Sequence, residues 1–316
     1  MGHMAKRAAL ALGSGGARGY AHIGVIHELR ERGYEVVGVA GSSMGALVGG
    51  LYAAGSMDEF EQWATSLTGP AMLRLLDPSI SAAGVLRAGK ILEIVRELLG
   101  AVTIEELPIP YTAVTTDLIA GRSVWLQRGA LDQAIRASIA IPGVISPHLV
   151  DGRLLADGGI LDPLPIAPIT AVNADVTVAV SVSGWDVNVD GSPETRPTRE
   201  RLTRLRRSTT ALLDKFNAGL DPTDPLDPED NSADDALVDI VRDTPIPKLG
   251  GIAVMTRTID IAQAALARHQ MAAYPPDVLI EVPRTACRSL EFHRAAELIE
   301  LGQKLTAAAL DRIDAG

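Results

Sequence analysis

The chain has 316 residues, 47% hydrophobic and only 3% aromatic, with a formal net charge of −10 at pH 7. That length suits one large α/β domain or two small ones, with a core filled by Leu, Val, Ile and Ala, and the acidity argues against general nucleic-acid binding. A single cysteine, Cys287, excludes an intramolecular disulfide, fits a reducing compartment and reads as a small apolar packing residue.

Met1, Gly2 and His3 read as an expression scar before a native Met4. Ala8–Leu12 reads as a buried strand. Lys6 and Arg7 before it mimic a secretory signal, but the apolar run is too short and enters a glycine-rich loop, Gly13–Gly19. Tyr20–Arg32 has a helical period, with Ile23, Val25, Ile26 and Leu29 on one face, and Gly33 ends it. Glu35–Ala40 is the second predicted strand. The Gly41-Ser42-Ser43-Met44-Gly45 turn and an apolar helix to Ala54 follow. This order predicts parallel strands joined by right-handed crossovers. Ser56 is expected to cap a helix over Met57–Leu67.

Further on, Pro70–Val85 is apolar but interrupted by Pro70, Pro78 and Gly84. Within it, Met72, Leu73, Leu75 and Leu76 fit a mobile cover or acyl-chain wall as well as ordinary core. Lys90–Leu99 reads as a helix, Tyr111–Leu118 and Ser123–Gln127 as strands about Ala120-Gly121, and Ala130–Ile139 as a helix. Two Asp-Gly turns precede a buried strand over Val176–Val182. After Gly184 come an arginine-rich run (Arg196 to Arg207) and an acidic stretch from Asp221 to Asp235. They suggest a charged, solvated insertion at about 185–250, with a basic helix against phosphates as the sharper reading. A helix over Ile252–Arg268, a strand over Asp277–Val282 and a C-terminal helix over Ser289–Ile313 complete one domain, 5–316. No segment is long and apolar enough to span a membrane.

Ser43 is the leading nucleophile candidate. In a G-x-S-x-G turn between a strand and a helix, glycines relieve a crowded backbone and the helix N-terminus favours developing negative charge. The loop Gly13-Ser14-Gly15-Gly16-Ala17-Arg18-Gly19 can turn its amides inward as a nest for an oxyanion. It fits a dinucleotide fingerprint poorly, because the third glycine falls on Arg18, and no G-K-[ST] sequence marks a Walker loop. Arg18 suits either holding a lipid phosphate or holding the loop through backbone carbonyls. For a base, His22, His27, His148, His269 and His293 carry no local signature and lack the spacing of a zinc site. Asp151, at a hairpin-like turn, and Asp157, in Asp157-Gly158-Gly159, are the acidic alternatives.

Four blocks in order carry a family resemblance: the loop ending Arg18-Gly19, the Ser43 turn, Ala137-Ser138-Ile139-Ala140-Ile141-Pro142 followed by Pro147, and Asp157-Gly158-Gly159. The chain resembles bacterial patatin-like phospholipases from residue 8 to about 182. The resemblance implies a three-layer α/β/α fold with a largely parallel sheet, and a serine lipid acyl hydrolase. It also implies a Ser43–Asp157 dyad, oxyanion donors at Gly15, Gly16 and Ala17, an acyl-enzyme, and no metal or cofactor. Ser14 stands where the family loop often has a first glycine. The expected partner is a phospholipid, lysophospholipid or other acyl ester, with a cytoplasmic location and peripheral membrane contact. Two other readings remain: an α/β-hydrolase triad using His269 or His293, and a non-catalytic scaffold.

Overall fold

Strand β1 (Arg7–Leu12) is an unbroken apolar run because both of its faces are covered. Ala8, Leu10 and Leu12 join one core with Ile23, Ile26 and Leu29, while Ala9 and Ala11 join another with Leu164, Ile166 and Ala267. The alternation along one strand thus separates two helical layers from a central sheet. The structure, a computed structural model, describes residues 5–69, 89–142, 144–184 and 251–314. Residues up to Asp186 and from Gly251 onward belong to one unit. The charged stretch at 185–250, the apolar segment with Met72–Leu76, and residues 1–3 lie outside the described residues.

In chain order β1 is followed by α1 (Ala21–Glu31), β2 (Glu35–Ser42), α2 (Met44–Ala53), α3 (Met57–Ser66), α4 (Gly89–Leu99), β3 (Tyr111–Asp117) and β4 (Arg122–Leu126). Then come α5 (Leu131–Ser138), β5 (His148–Val150), β6 (Arg153–Asp157), β7 (Val176–Gly184), α6 (Gly251–Ala273), β8 (Val278–Pro283) and α7 (Ala295–Asp314). The eight-stranded sheet runs β5-β6-β3-β2-β1-β7-β8, with β4 also paired to β3. The β1, β2, β3, β7 and β8 pairings are parallel, and those among β3, β4, β5 and β6 are antiparallel. This is the three-layer α/β fold the resemblance implies.

Three local expectations need correction. Ser56 precedes α3 but makes no capping bond; its hydroxyl donates to the Leu98 carbonyl at 3.0 Å, so a contact with α4 displaces the cap. Ser289 is not helical. A short 3₁₀ turn at Phe292–Arg294 comes first and α7 begins at Ala295. The Gly13–Gly19 loop likewise closes into a 3₁₀ turn, Gly16–Tyr20, buried throughout.

Strand β3 positions the site. Its residues Ala113–Asp117 pair with β4 along one edge, so β2, on Tyr111–Val114, and β6, on Thr115–Asp117, must share the other. Ser42 pairs with Val114 and Asp157 with Thr115. The ends of β2 and β6 therefore meet head-on against neighbouring β3 residues.

Candidate active site

Ser43 occupies the turn between β2 and α2 with φ 57° and ψ −122°, one of two non-glycine residues with positive φ among those described. The glycines on either side are required by close approach. A Cβ on Gly41 would strike the Gly45 carbonyl, and one on Gly45 would strike the Leu12 carbonyl. The bend that presents Ser43 thus folds back on itself and on the end of β1. Such a φ for serine stores strain of about 1–3 kcal/mol, which the surrounding structure must hold in place.

Three hydrogen bonds hold it. The Ser43 N–H donates to Ser138 Oγ at 3.0 Å, and that hydroxyl donates to the Val114 carbonyl at 2.6 Å. The Ser42 hydroxyl donates to the Asp162 carbonyl at 2.7 Å. Ser138, at the end of α5, lies in one of the four sequence blocks, but its linking role has no sequence signature. Asp162 is buried; burial pushes its carboxyl up to about 6, and its Oδ1 has no partner among the described residues.

The Ser43 hydroxyl donates to Asp157 Oδ2 at 2.6 Å. Oδ1 of the same carboxylate accepts the Gly159 N–H at 2.7 Å, so each oxygen has its own donor. The Asp157 backbone is fixed by its N–H to the Ala140 carbonyl at 3.0 Å and by Thr116 Oγ1 donating to its carbonyl at 3.0 Å. Gly158 leaves room for this: a Cβ there would strike the Val114 carbonyl and the Ser42 hydroxyl. Ser43 and Asp157 are 2% and 3% exposed, which makes desolvation the dominant influence on the acid. Burial pushes the Asp157 carboxyl up to about 6, against the lowering effect of the Ser43 and Gly159 hydrogen bonds.

The glycine loop is pinned from four sides. Gly13 N–H donates to the Val180 carbonyl at 3.0 Å and Ser14 N–H to that of Pro163 at 2.8 Å. His22 Nε2 bonds the Gly13 carbonyl at 2.9 Å; burial pushes this imidazole down to about 4, so it is a neutral donor. Ala17 N–H donates to the Ser289 carbonyl at 2.9 Å. That amide is taken, which corrects the expectation of an Ala17 oxyanion donor. Gly15 and Gly16, the latter at φ +56°, have N–H groups without a partner among the described residues. The loop rests on the first residue of α2, since a Cβ on Gly19 would strike the Met44 side chain.

Arg18 is buried and turned into the protein. Its Nη1 donates to the Arg284 carbonyl at 3.2 Å and its Nη2 lies 3.8 Å from Asp260 of α6. Burial lowers its pKa, opposed by Asp260. Of the two sequence readings, holding a backbone carbonyl describes these contacts.

The other candidates fall elsewhere. Asp151 sits exposed at the β5–β6 hairpin with φ 49°. His148 bonds Gln133 at 2.6 Å, and His269 and His293 are exposed. His27, Asp58 and Glu61 approach within 4.8 Å of one another on α1 and α3, where His27 Nε2 is 3.2 Å from Glu61 and Arg30 is 4.0 Å from Asp58. Among the described residues no helix is long and apolar enough to cross a membrane.

The family model described as patatin-like phospholipase matches residues 10–169. An uncharacterized NTE family protein of Mycobacterium bovis is 58% identical over 340 aligned residues, covering 99% of this chain and 94% of that one. The lysophospholipase NTE1 of Mycosarcoma maydis is 35% identical over 199 residues, covering 58% of this chain and 10% of that protein. Among solved structures, VipD of Legionella pneumophila is similar at 16% identity and a TM-score of 0.46, covering 98% of this chain and 67% of that one, a likeness too slight to build on. On the family match and the near full-length relative, the chain belongs to the patatin-like phospholipase family, a family of lipid ester hydrolases.

Proposed function

We propose that the chain hydrolyses carboxylic esters of phospholipids or lysophospholipids through a Ser43–Asp157 dyad and an acyl-enzyme. The observation that carries this is the 2.6 Å bond from Ser43 Oγ to Asp157 Oδ2 within a buried, strained turn. In the first step Asp157 takes the hydroxyl proton as Oγ attacks the ester carbonyl, and the tetrahedral oxyanion forms. The Gly15 and Gly16 amides are the donors proposed for that oxyanion, together with the dipole of α2. The proton passes to the departing alcohol, leaving an acyl group on Ser43. Water then attacks this ester as Asp157 accepts its proton, the acyl–Oγ bond breaks, the proton passes to Ser43 Oγ, and the fatty acid leaves. A lysophospholipid among the substrates accords with the name of the fungal relative, lysophospholipase NTE1.

A histidine triad is not favoured. Ser43 already has a carboxylate partner, and the late histidines are exposed. Covalent labelling with a fluorescent alkyl phosphonate tests the dyad. Wild type is expected to label, and Ser43→Ala and Asp157→Asn to fail. Labelling that persists in Asp157→Asn would point to another base, and an unlabelled wild type would return the scaffold reading.

A further inference from the structure

Gly159 lies where three parts of the site converge. Its N–H donates to Asp157 Oδ1 at 2.7 Å, so its placement decides how the carboxylate is held. Gly159 is not among the glycines with positive φ, so its backbone does not demand glycine. Its neighbours do. A Cβ on Gly159 would strike Ser14 Oγ, lie 2.7 Å from Ser14 Cβ and come within 2.8 Å of Gln263 Nε2. Ser14 is a buried residue of the glycine loop, and Gln263 is a half-buried residue of α6. The loop that carries the Gly15 and Gly16 amides thus touches the turn that carries Asp157. The Gly159 α-carbon takes no strong hydrogen bond, so this contact is one of packing.

Both walls of the contact are anchored. The Ser14 N–H donates to the Pro163 carbonyl at 2.8 Å, so Ser14 Cβ cannot retreat unless the loop moves. Pro163 follows Asp162, whose N–H donates to the Gly158 carbonyl at 2.9 Å and whose carbonyl accepts the Ser42 hydroxyl. Backbone and side chain therefore tie the loop to the same turn. On α6, Ala264 and Ala267 are buried, and Asp260 and Gln263 are three residues apart and share a face. Asp260 meets Arg18 of the glycine loop while Gln263 meets Gly159, so one helix face braces both halves of the site.

We infer that Ser14 and Gln263 are positioning residues for the base: by closing on Gly159 they keep its N–H on Asp157 Oδ1. The inference rests on the dyad reading above. A hydrogen bond weakens steeply once its angle falls below about 120°, so a turn free to swivel would leave Oδ1 without its donor. The carboxylate could then rotate, and Oδ2 would lose its aim at the Ser43 hydroxyl. Burial, Ser43 and Gly159 are the influences on this carboxyl, with no charged side chain among them. The Gly159 bond is the one that a change at Ser14 or Gln263 reaches.

Moving a small group across the contact tests this, with kcat on a soluble short-chain ester followed against pH. Gly159→Ala is expected to lower kcat about a hundredfold, because Ser14 must push the turn aside. Ser14→Gly/Gly159→Ala, which gives the methyl group its space, should recover about tenfold or more of that loss. Ser14→Gly alone and Gln263→Ala alone should each lower kcat about three- to tenfold with KM little changed. Both should also move the midpoint of the pH profile upward, because the bond from Gly159 that lowers the Asp157 pKa is loosened. Gln263→Met, which restores the length lost in Gln263→Ala, should return kcat and midpoint toward wild type. A merely structural role would lower the melting temperature and leave the midpoint in place. Ser14→Gly with wild-type kcat and midpoint overturns the inference. So does a Gly159→Ala variant as active as wild type, or a double variant no better than Gly159→Ala. Failure of the dyad itself is read separately, as phosphonate labelling that persists in Asp157→Asn.

Discussion

The Ser43 backbone N–H donates to Ser138 Oγ at 3.0 Å, and the same hydroxyl donates to the Val114 carbonyl at 2.6 Å. One side chain at the end of α5 therefore ties the turn to the strand against which Ser43 and Asp157 are both set.

Ser138→Ala leaves a buried N–H and a buried carbonyl without this partner. The expected loss of stability is about 1–3 kcal/mol, read by chemical denaturation. Ser138 is a positioning residue, so kcat and the rate of phosphonate labelling are expected to fall with KM little changed. A variant with wild-type labelling would remove Ser138 from the site.

In the proposed mechanism the Asp157 carboxyl must be ionised to accept a proton, and burial pushes it up to about 6. Activity on a soluble ester is expected to rise with pH through a midpoint near that value. Stability moves the other way. The folded value lies above the ordinary 3.8, so this group's contribution is full below that pH and is lost as pH rises through about 6. At pH 7 Asp157→Asn should therefore be inactive yet more stable than wild type, by about 1–3 kcal/mol. Thermal melts of the two proteins at acid and neutral pH check the sign.

Strain at Ser43 predicts a second exchange of activity for stability. Ser43→Gly removes the Cβ that makes φ 57° unfavourable, and it is expected to raise stability by about 1 kcal/mol or more over Ser43→Ala. Both variants should be inactive. Equal melting temperatures would show that the turn is not strained.

Arg18 gives a prediction about substrate recognition. Its guanidinium is buried against Asp260 and the Arg284 carbonyl, so Arg18→Gln should destabilise the glycine loop and slow hydrolysis of phosphate-bearing and phosphate-free esters alike. A selective loss on phosphate-bearing esters, read as kcat/KM for the two classes, would restore the phosphate-binding role.

Local pattern by itself determined the apolar run of β1, the helical period of α1, the glycine-flanked turn at Ser43 and the Asp151-Gly152 hairpin. Each is fixed by residues within a few positions of one another, where backbone sterics and burial period act directly. The resemblance singled out Asp157 among the acids, but composition and spacing left Asp151 and the histidines beside it. Ser43 and Asp157 are 114 residues apart, and only the register of β3 brings the ends of β2 and β6 together. Tertiary structure also decided that Ser289 takes the Ala17 amide, that Asp260 takes Arg18, and that Leu98 draws Ser56 away from its cap. These outcomes depend on which distant donor, acceptor or apolar surface arrives at a given point, and that is fixed by packing of the whole sheet rather than by any periodicity along the chain.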